Sequence, residues 1–368
     1  MQKIKLMNSP EDYERLGVNP ETIEVWEDGR RSGNDSPNDW EWWYSDFIFD
    51  DGSTAVVQFF TKAGRKIGHA GDFPSINIRI KLADGTELKD NIDFKVSEAS
   101  FSTDRCDVRM RGNVFEGNLR SYHVRAHSKK GFGIDVTLES TAKPYRPGSA
   151  YIQMGNPEHF YTWFCAVPAG KARGTLTCNG ETREVRGTGY HDHQWGNTNF
   201  LKEWNHWLWA RQRFDDYSML VFDLTAAKQH DFERLPICFI QDSSGNLVFE
   251  STELASCDVL STYLDEKESG KIYPKDIDYV FESNGAKATY RLRQKGIIEA
   301  GGLKTAPLPM RLLVHAMGIK HSYTRYLGEG ELAFESNGKT IAKKSELIYE
   351  FMYPGEDFRE GQTVLSND

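Results

Sequence analysis

Apolar and polar positions alternate with a period of two over short runs, and turn residues interrupt these runs at short intervals along the chain. The first clear run is Trp40–Phe49 (WEWWYSDFIF), followed by Asp50-Asp51-Gly52 and then Thr54–Thr61, which has the sequence mark of a hairpin. Similar punctuation recurs at Ala83-Asp84-Gly85, Gly112-Asn113, Asn179-Gly180, Ser244-Gly245, Asn284-Gly285 and Asn337-Gly338. Between these points lie strand-length segments at Ser75–Leu82, Tyr122–Ala126, Gly133–Ser140, Gly174–Cys178, Ser218–Leu224, Pro236–Gln241, Ala288–Gln294, Glu329–Glu335 and Ile348–Tyr353. Helix is expected only at Glu11–Leu16, Ala255–Leu264 and Pro309–Met317. The pattern predicts an all-β fold of antiparallel barrels or sandwiches.

An internal echo sets the organisation. Trp42-x-Tyr44, Phe49-Asp-Asp-x-Ser53 and Val56 reappear as Trp207-x-Trp209, Phe214-Asp-Asp-x-Ser218 and Val221, all at one offset in the sequence. A repeat of that length is the size of one small barrel, and 368 residues exceed what a single core organises. We therefore expect two similar barrels in tandem, at about 39–200 and 201–368. Residues 1–38, with Pro10, Pro20 and Pro37, read as an N-terminal arm laid over the fold.

Composition narrows the function. A net charge of −9 gives no footprint for nucleic acid, and no run of about eighteen apolar residues is available for a membrane span. The polar start lacks a signal peptide's apolar region, so a cytoplasmic location is expected. Cys106, Cys165, Cys178, Cys238 and Cys257 have no C-x-x-C spacing and read as small buried hydrophobes. No phosphate-cradling glycine loop and no G-x-S-x-G elbow is present. Trp40, Trp42, Trp43, Trp195, Trp204, Trp207 and Trp209 crowd into two zones, as suits a pocket for a flat, conjugated or cationic species.

The densest chemistry is Gly189-Tyr190-His191-Asp192-His193-Gln194-Trp195-Gly196, just before the second copy begins. In an extended strand His191, His193 and Trp195 point one way and Asp192 and Gln194 the other. Three uses are open. His-x-His could hold a metal, although the next downstream carboxylate, Glu203, is further than compact His-x-His sites place it. Asp192 or a histidine could work as an acid or base. The run could instead be a buried polar ladder that satisfies backbone groups.

Glu41-Trp42-Trp43-Tyr44, Asp50-Asp-Gly-Ser-Thr54, Cys106-Asp-Val-Arg109, Gly187-x-Gly-Tyr-His-Asp-His-Gln-Trp-Gly-Asn197 and Trp207-x-Trp209 together resemble the carotenoid 1,2-hydratase (hydroxyneurosporene synthase), or AttH-like, superfamily. The resemblance runs from about Val25 to Phe351. It implies two lipocalin-like barrels and a hydratase, isomerase or cyclase without metal or organic cofactor, acting on an apolar unsaturated isoprenoid or polyketide-type molecule. A pericyclic cyclase of Diels-Alderase type and a non-catalytic carrier of hydrophobic ligands are the alternatives. Asp192, with His191, His193 and Glu41, is the expected acid/base group. Trp42, Trp43, Tyr44, Tyr190, Trp195, Trp207 and Trp209 are the expected pocket aromatics, and Lys62 and Arg211 the candidates for a carbonyl, enolate or carboxylate. A monomer or homodimer is expected.

Overall fold

The computed structural model describes residues 3–301, 322–336 and 338–355. Strand dominates. The first group comprises β1 (Ile4–Leu6), β2 (Trp40–Phe49), β3 (Thr54–Phe60), β4 (Ser75–Lys81), β5 (Glu87–Asp93), β6 (Ala99–Phe101), β7 (Asp107–Met110), β8 (Asn113–Gly117), β9 (Ser121–Ser128), β10 (Phe132–Ser140), β11 (Tyr151–Met154), β12 (Asn156–Cys178) and β13 (Glu181–Gly196). The second comprises β14 (Trp204–Arg213), β15 (Tyr217–Ala226), β16 (Arg234–Asp242), β17 (Leu247–Ser251), β18 (Leu254–Leu264), β19 (Ile272–Ser283), β20 (Ala286–Gly301), β21 (Ser322–Ser336) and β22 (Lys339–Tyr353).

These strands form two antiparallel sheets, ordered β5-β4-β3-β2-β13-β12-β10-β9-β8-β7-β6 and β17-β16-β15-β14-β22-β21-β20-β19-β18, with β1 and β11 off the first path. In each sheet the opening long strand lies between the strand that follows it and the last strand, so the sequence echo is also a repeat of topology. Each sheet curls into a lipocalin-like barrel. In the first, Ser128 at the end of β9 and Lys130 just after it reach Asp90 on β5. In the second, Ser251 Oγ on β17 donates to the Glu282 carbonyl on β19 at 2.5 Å. The chain divides into compact units between Asn199 and Phe200, and Lys5 onward, including most of the expected arm, belongs to the first unit.

The echo conceals a difference in the turns. Phe49 N bonds Ser53 O, so Asp50-Asp51-Gly52 form a three-residue turn with Gly52 at φ +85. Phe214 N bonds Tyr217 O, closing the second turn one residue earlier on Asp215-Asp216. Asn179-Gly180 and Asn284-Gly285 have positive φ at both residues, the requirement of a type I′ hairpin.

One expected helix is corrected. Ala255–Leu264 lies within strand β18, with Cys257, Val259, Ser261 and Tyr263 turned inward and Asp258, Leu260, Thr262 and Leu264 exposed. That is a period of two, supplied by β-branched and aromatic residues, and it overrides the apolar content that suggested helix. The N-terminal helix runs Pro10–Leu16, with Ser9 and Asp12 forming a capping box. The expected helix at Pro309–Met317 lies outside the described residues. Among the described residues no helix is long and apolar enough to cross a membrane. Four of the five cysteines are buried and Cys178 is half-buried, all as free thiols.

Candidate functional site

Strand β13 is sandwiched between β2 and β12, and its register fixes the chemistry. His193 lies opposite Trp43, Asp192 opposite Tyr44, Trp195 opposite Glu41, and His191 opposite Ser45. Two faces follow. The inward face carries Glu41, Trp43, Phe47, His191, His193 and Trp195, with Trp43, Phe47 and Trp195 packed in the apolar core. Trp42, Tyr44, Asp46, Tyr190, Asp192 and Gln194 occupy the opposite face. Glycines allow the close approach: a Cβ on Gly187 would sit 2.1 Å from the Ile48 carbonyl oxygen and 2.7 Å from Phe49 Cα.

On the inward face a buried charge network joins distant parts of the chain. Asp28, at the end of the 3-10 turn Val25–Asp28, accepts from the Tyr122 hydroxyl at 2.5 Å and lies 3.1 Å from His191 Nε2, both through Oδ2. His191 Nδ1 lies 2.8 Å from the Tyr44 carbonyl, so each ring nitrogen faces an acceptor. His193 Nε2 meets Glu41 Oε1 at 2.7 Å, and its Nδ1 lies 3.3 Å from Asp28 Oδ1, within ion-pairing range but poorly angled for a hydrogen bond. Its ring is held between the indoles of Trp43 and Trp195, with both centroids at 4.6 Å. Burial works against charge on His193, but its bonds and proximity to Asp28 and Glu41 outweigh that and raise its pKa. Burial likewise opposes ionisation of Asp28, and the opposing charge and hydrogen bond of His191, with His193 close by, hold its carboxyl well below the usual range. Glu41 in turn accepts from the amides of Arg31 and Ser32 at 2.7 and 3.0 Å and from the Ser32 hydroxyl at 2.6 Å. The network therefore fastens the arm to the barrel interior.

Asp28, Cys106 and His191 offer donor atoms within 4.8 Å of one another, a spacing an ion could fill. Here Asp28 Oδ2 is taken by Tyr122 and His191, and the Cys106 thiol points to the Phe115 carbonyl at 3.5 Å.

The opposite face is built differently. Asp192 is 3% exposed and, among the described residues, receives only neutral donors: Tyr190 Oη at 2.9 Å and Trp163 Nε1 at 3.1 Å on Oδ2, and Gln194 Nε2 at 3.2 Å on Oδ1. Burial dominates, and despite these bonds it pushes the Asp192 carboxyl up to about 6. Tyr44 packs edge-on against Tyr190, Trp42 stacks on Trp40, and Trp163 meets the edge of Tyr145. The result is a neutral-capable acid in an aromatic setting.

A model of the AttH-like family matches residues 83–295, more than half of the chain. The chain belongs to the AttH-like family. No curated protein matches it. Among solved structures, the AttH-like chain is similar to an AttH candidate from Nitrosomonas europaea at 15% identity, with 92% of this chain and 99% of that one covered and a TM-score of 0.59. CghA in complex with Sch210972 aligns at 17% identity over 97% of this chain and 100% of that one, with a TM-score of 0.62. Kievitone hydratase from Nectria haematococca aligns at 14% identity over 91% and 93%, with a TM-score of 0.53. At these identities the likeness is one of fold.

The remaining expected site residues of this AttH-like chain scatter. Lys62 is buried, and its ammonium is held by the Ser36 and Pro37 carbonyls at 3.3 and 3.2 Å, which ties down the arm. Burial lowers its pKa despite the nearby Asp39 and Asp72. Trp207, Trp209 and Arg211 share one face of β14, away from the second unit's apolar core on Leu208 and Ala210, and the Arg211 guanidinium sits 5.9 Å from the Trp209 ring. Trp42 and Tyr44 hold the matching outward positions in the first unit.

Sequence reasoning missed Asp28, Tyr122, Trp163 and Tyr161. Asp28 meets His191 across a separation of 163 residues, and its only local sign is an acidic Glu27-Asp28 pair before Gly29 in an otherwise apolar turn. That glycine is required, because a Cβ there would lie 2.5 Å from the Thr103 carbonyl oxygen. Glu27 forms its own buried pair with Arg146 at 2.8 Å.

Proposed function

We propose that the chain is a hydratase, isomerase or cyclase that needs no cofactor and acts on an apolar, unsaturated isoprenoid or polyketide-type molecule, with Asp192 as the acid. The observation that carries this reading is the Asp192 carboxyl, buried among neutral donors and raised to about 6, on a face lined by Tyr44, Tyr190 and Trp163. Protonating an unactivated alkene requires a neutral carboxyl near working pH, and the cation formed requires aromatic faces and little water. Kievitone hydratase, which shares the fold, supports the hydratase form of this reading.

His191, His193 and Glu41 act in this reading through the strand they anchor, not by touching substrate. The second unit supports that division. Its interior holds Asp223 paired with Arg234 at 2.6 Å, accepting from Tyr279 at 3.0 Å, with Cys257 Sγ 3.2 Å from the guanidinium. A buried carboxylate with a tyrosine, a cysteine and a basic partner thus occurs inside both barrels. Recurrence in the unit that lacks the His-Asp-His run points to a structural role. The interior of the first barrel is also filled by side chains such as Phe59, Phe115 and Ile134, which disfavours a carrier that holds its ligand there. Residues 39–200 and 201–368 are the two domains on this reading.

The test is conversion of a panel of isoprenoid and polyketide-type alkenes, followed by mass spectrometry, with wild type and Asp192→Asn. Turnover should fall by about 10² to 10⁴ in the variant while ligand quenching of tryptophan fluorescence persists. Equal turnover by the variant would remove the acid role.

A further inference from the structure

Resting on Asp192 as the acid, a second question is which of its oxygens carries the transferable proton and what selects it. Oδ2 is occupied by Tyr190 and Trp163, at 2.9 and 3.1 Å. An indole N–H can only donate, so a proton on Oδ2 would confront a donor that cannot reverse. Among the described residues Oδ1 has Gln194 Nε2 alone, at 3.2 Å. A primary amide can reverse: turned over, Gln194 presents Oε1 to an Oδ1–H and loses nothing as a partner. What holds it in the donating orientation is Tyr161, whose hydroxyl donates to Gln194 Oε1. A hydroxyl can also accept, so Tyr161 receives the amide N–H after the reversal.

We infer that Gln194, held by Tyr161, is the positioning residue that assigns the transferable proton to Oδ1 of Asp192 and sets the pH at which it is present. With the amide donating, the carboxylate is favoured; with the Tyr161–Gln194 chain reversed, the acid is favoured. In the reaction the Oδ1–H bond breaks as a C–H bond forms, the bonding pair stays on Oδ1, and the amide returns to stabilise the charge. The other titratable groups around Asp192 among the described residues are Tyr44 and Asp46 on β2, Tyr161 and Cys165 on β12, Tyr190 on its own strand, and His191 on the reverse face of β13. Burial, with the charge of Asp192, keeps both Tyr161 and Tyr190 protonated as hydroxyls, with pKa values well above the ordinary phenol.

The experiment is infrared difference titration of the resting protein, with the Asp192 carboxyl band identified by its loss in Asp192→Asn. Gln194→Leu should move the midpoint of that band upward by roughly one pH unit or more, the size expected when a hydrogen bond to a charged group is lost. Tyr161→Phe should move it the same way, because the amide is released to accept from the acid. With the proton on Oδ1, the carbonyl of the acid is Oδ2. Tyr190→Phe should therefore raise the C=O stretching frequency, whereas Gln194→Leu should leave that frequency in place. A midpoint unmoved by Gln194→Leu and Tyr161→Phe, or a stretching frequency that responds to Gln194 and not to Tyr190, overturns the assignment. The readout needs no substrate, so normal turnover by Asp192→Asn would sink the catalytic role and leave this result standing.

Discussion

Asp192→Asn should uncouple stability from pH as well as remove an acid. In the folded chain the carboxyl is raised from its ordinary 3.8 to about 6, chiefly by burial. A folded state that holds the proton more tightly than the unfolded state loses stability as pH climbs from about 4 through 6. Each pH unit of difference carries about 1.4 kcal/mol, so ionising Asp192 costs the fold roughly 3 kcal/mol by pH 8. The amide variant has no such charge to bury. Its own penalty is an N–H group that Gln194 accepts only with its amide turned over, about 1 kcal/mol and independent of pH. The difference in stability between variant and wild type should therefore shift in favour of the variant by about 2.4 kcal/mol between pH 4 and pH 8. Other groups that titrate in this range, His193 among them, occur in both proteins and largely cancel.

Because the chain has two compact units, a single unfolding curve would mix two transitions. Hydrogen exchange of peptides from β12 and β13 under increasing denaturant reads the opening of the first unit alone. A variant-minus-wild-type difference that stays flat from pH 4 to pH 8 would refute the reasoning, because Asp192 would then titrate alike folded and unfolded. A difference of the opposite sign would mean that the three donors outweigh burial.

Two further changes probe the frame around the acid. Glu41→Gln removes one anionic partner of His193 and should cost about 3 kcal/mol or more, as breaking a buried pair does. Since His193 is raised in the folded chain, its contribution is full below about pH 6.5 and fades as pH rises through the folded value; the variant should show a weaker fade in the same exchange measurement. Gly187→Ala drives a methyl into the backbone of Ile48 and Phe49, which cannot yield as a side chain could, and should destabilise the β2–β13 pairing by about 1 to 3 kcal/mol. Unaltered exchange in β2 and β13 of that variant would show that the strands separate without cost.

The fold was legible because its signals are local. Alternation, Asn-Gly and Asp-Gly turns, and the Trp42/Trp207 echo each lie within a few residues, and the sheets follow them. The period-two rule also divided His191 and His193 from Asp192 and Gln194. Long-range closure was not legible. Asp28 reaches His191, and Tyr122 reaches Asp28, only because the sheet curls and the arm turns inward behind Gly29. Lys62 failed as a guide for the same reason, since the arm carbonyls that hold it leave no local trace.

The repeat also supplies a control for Asp192. By register, Asp192 lies opposite Tyr44 on β2, and Glu350 lies opposite Trp209 on β14, so the two carboxylates hold equivalent places in the two units. Glu350 has a cation beside it, Arg325 Nε at 3.5 Å. Asp192 has an indole, a phenol and an amide in the matching surroundings. A charged partner would hold a carboxylate ionised, whereas neutral donors leave burial in command. The same position on the same fold thus carries an ion pair in one barrel and a buried carboxyl of raised pKa among neutral donors in the other. What makes the difference is the set of neighbours on β12 and β13, not the aspartate itself.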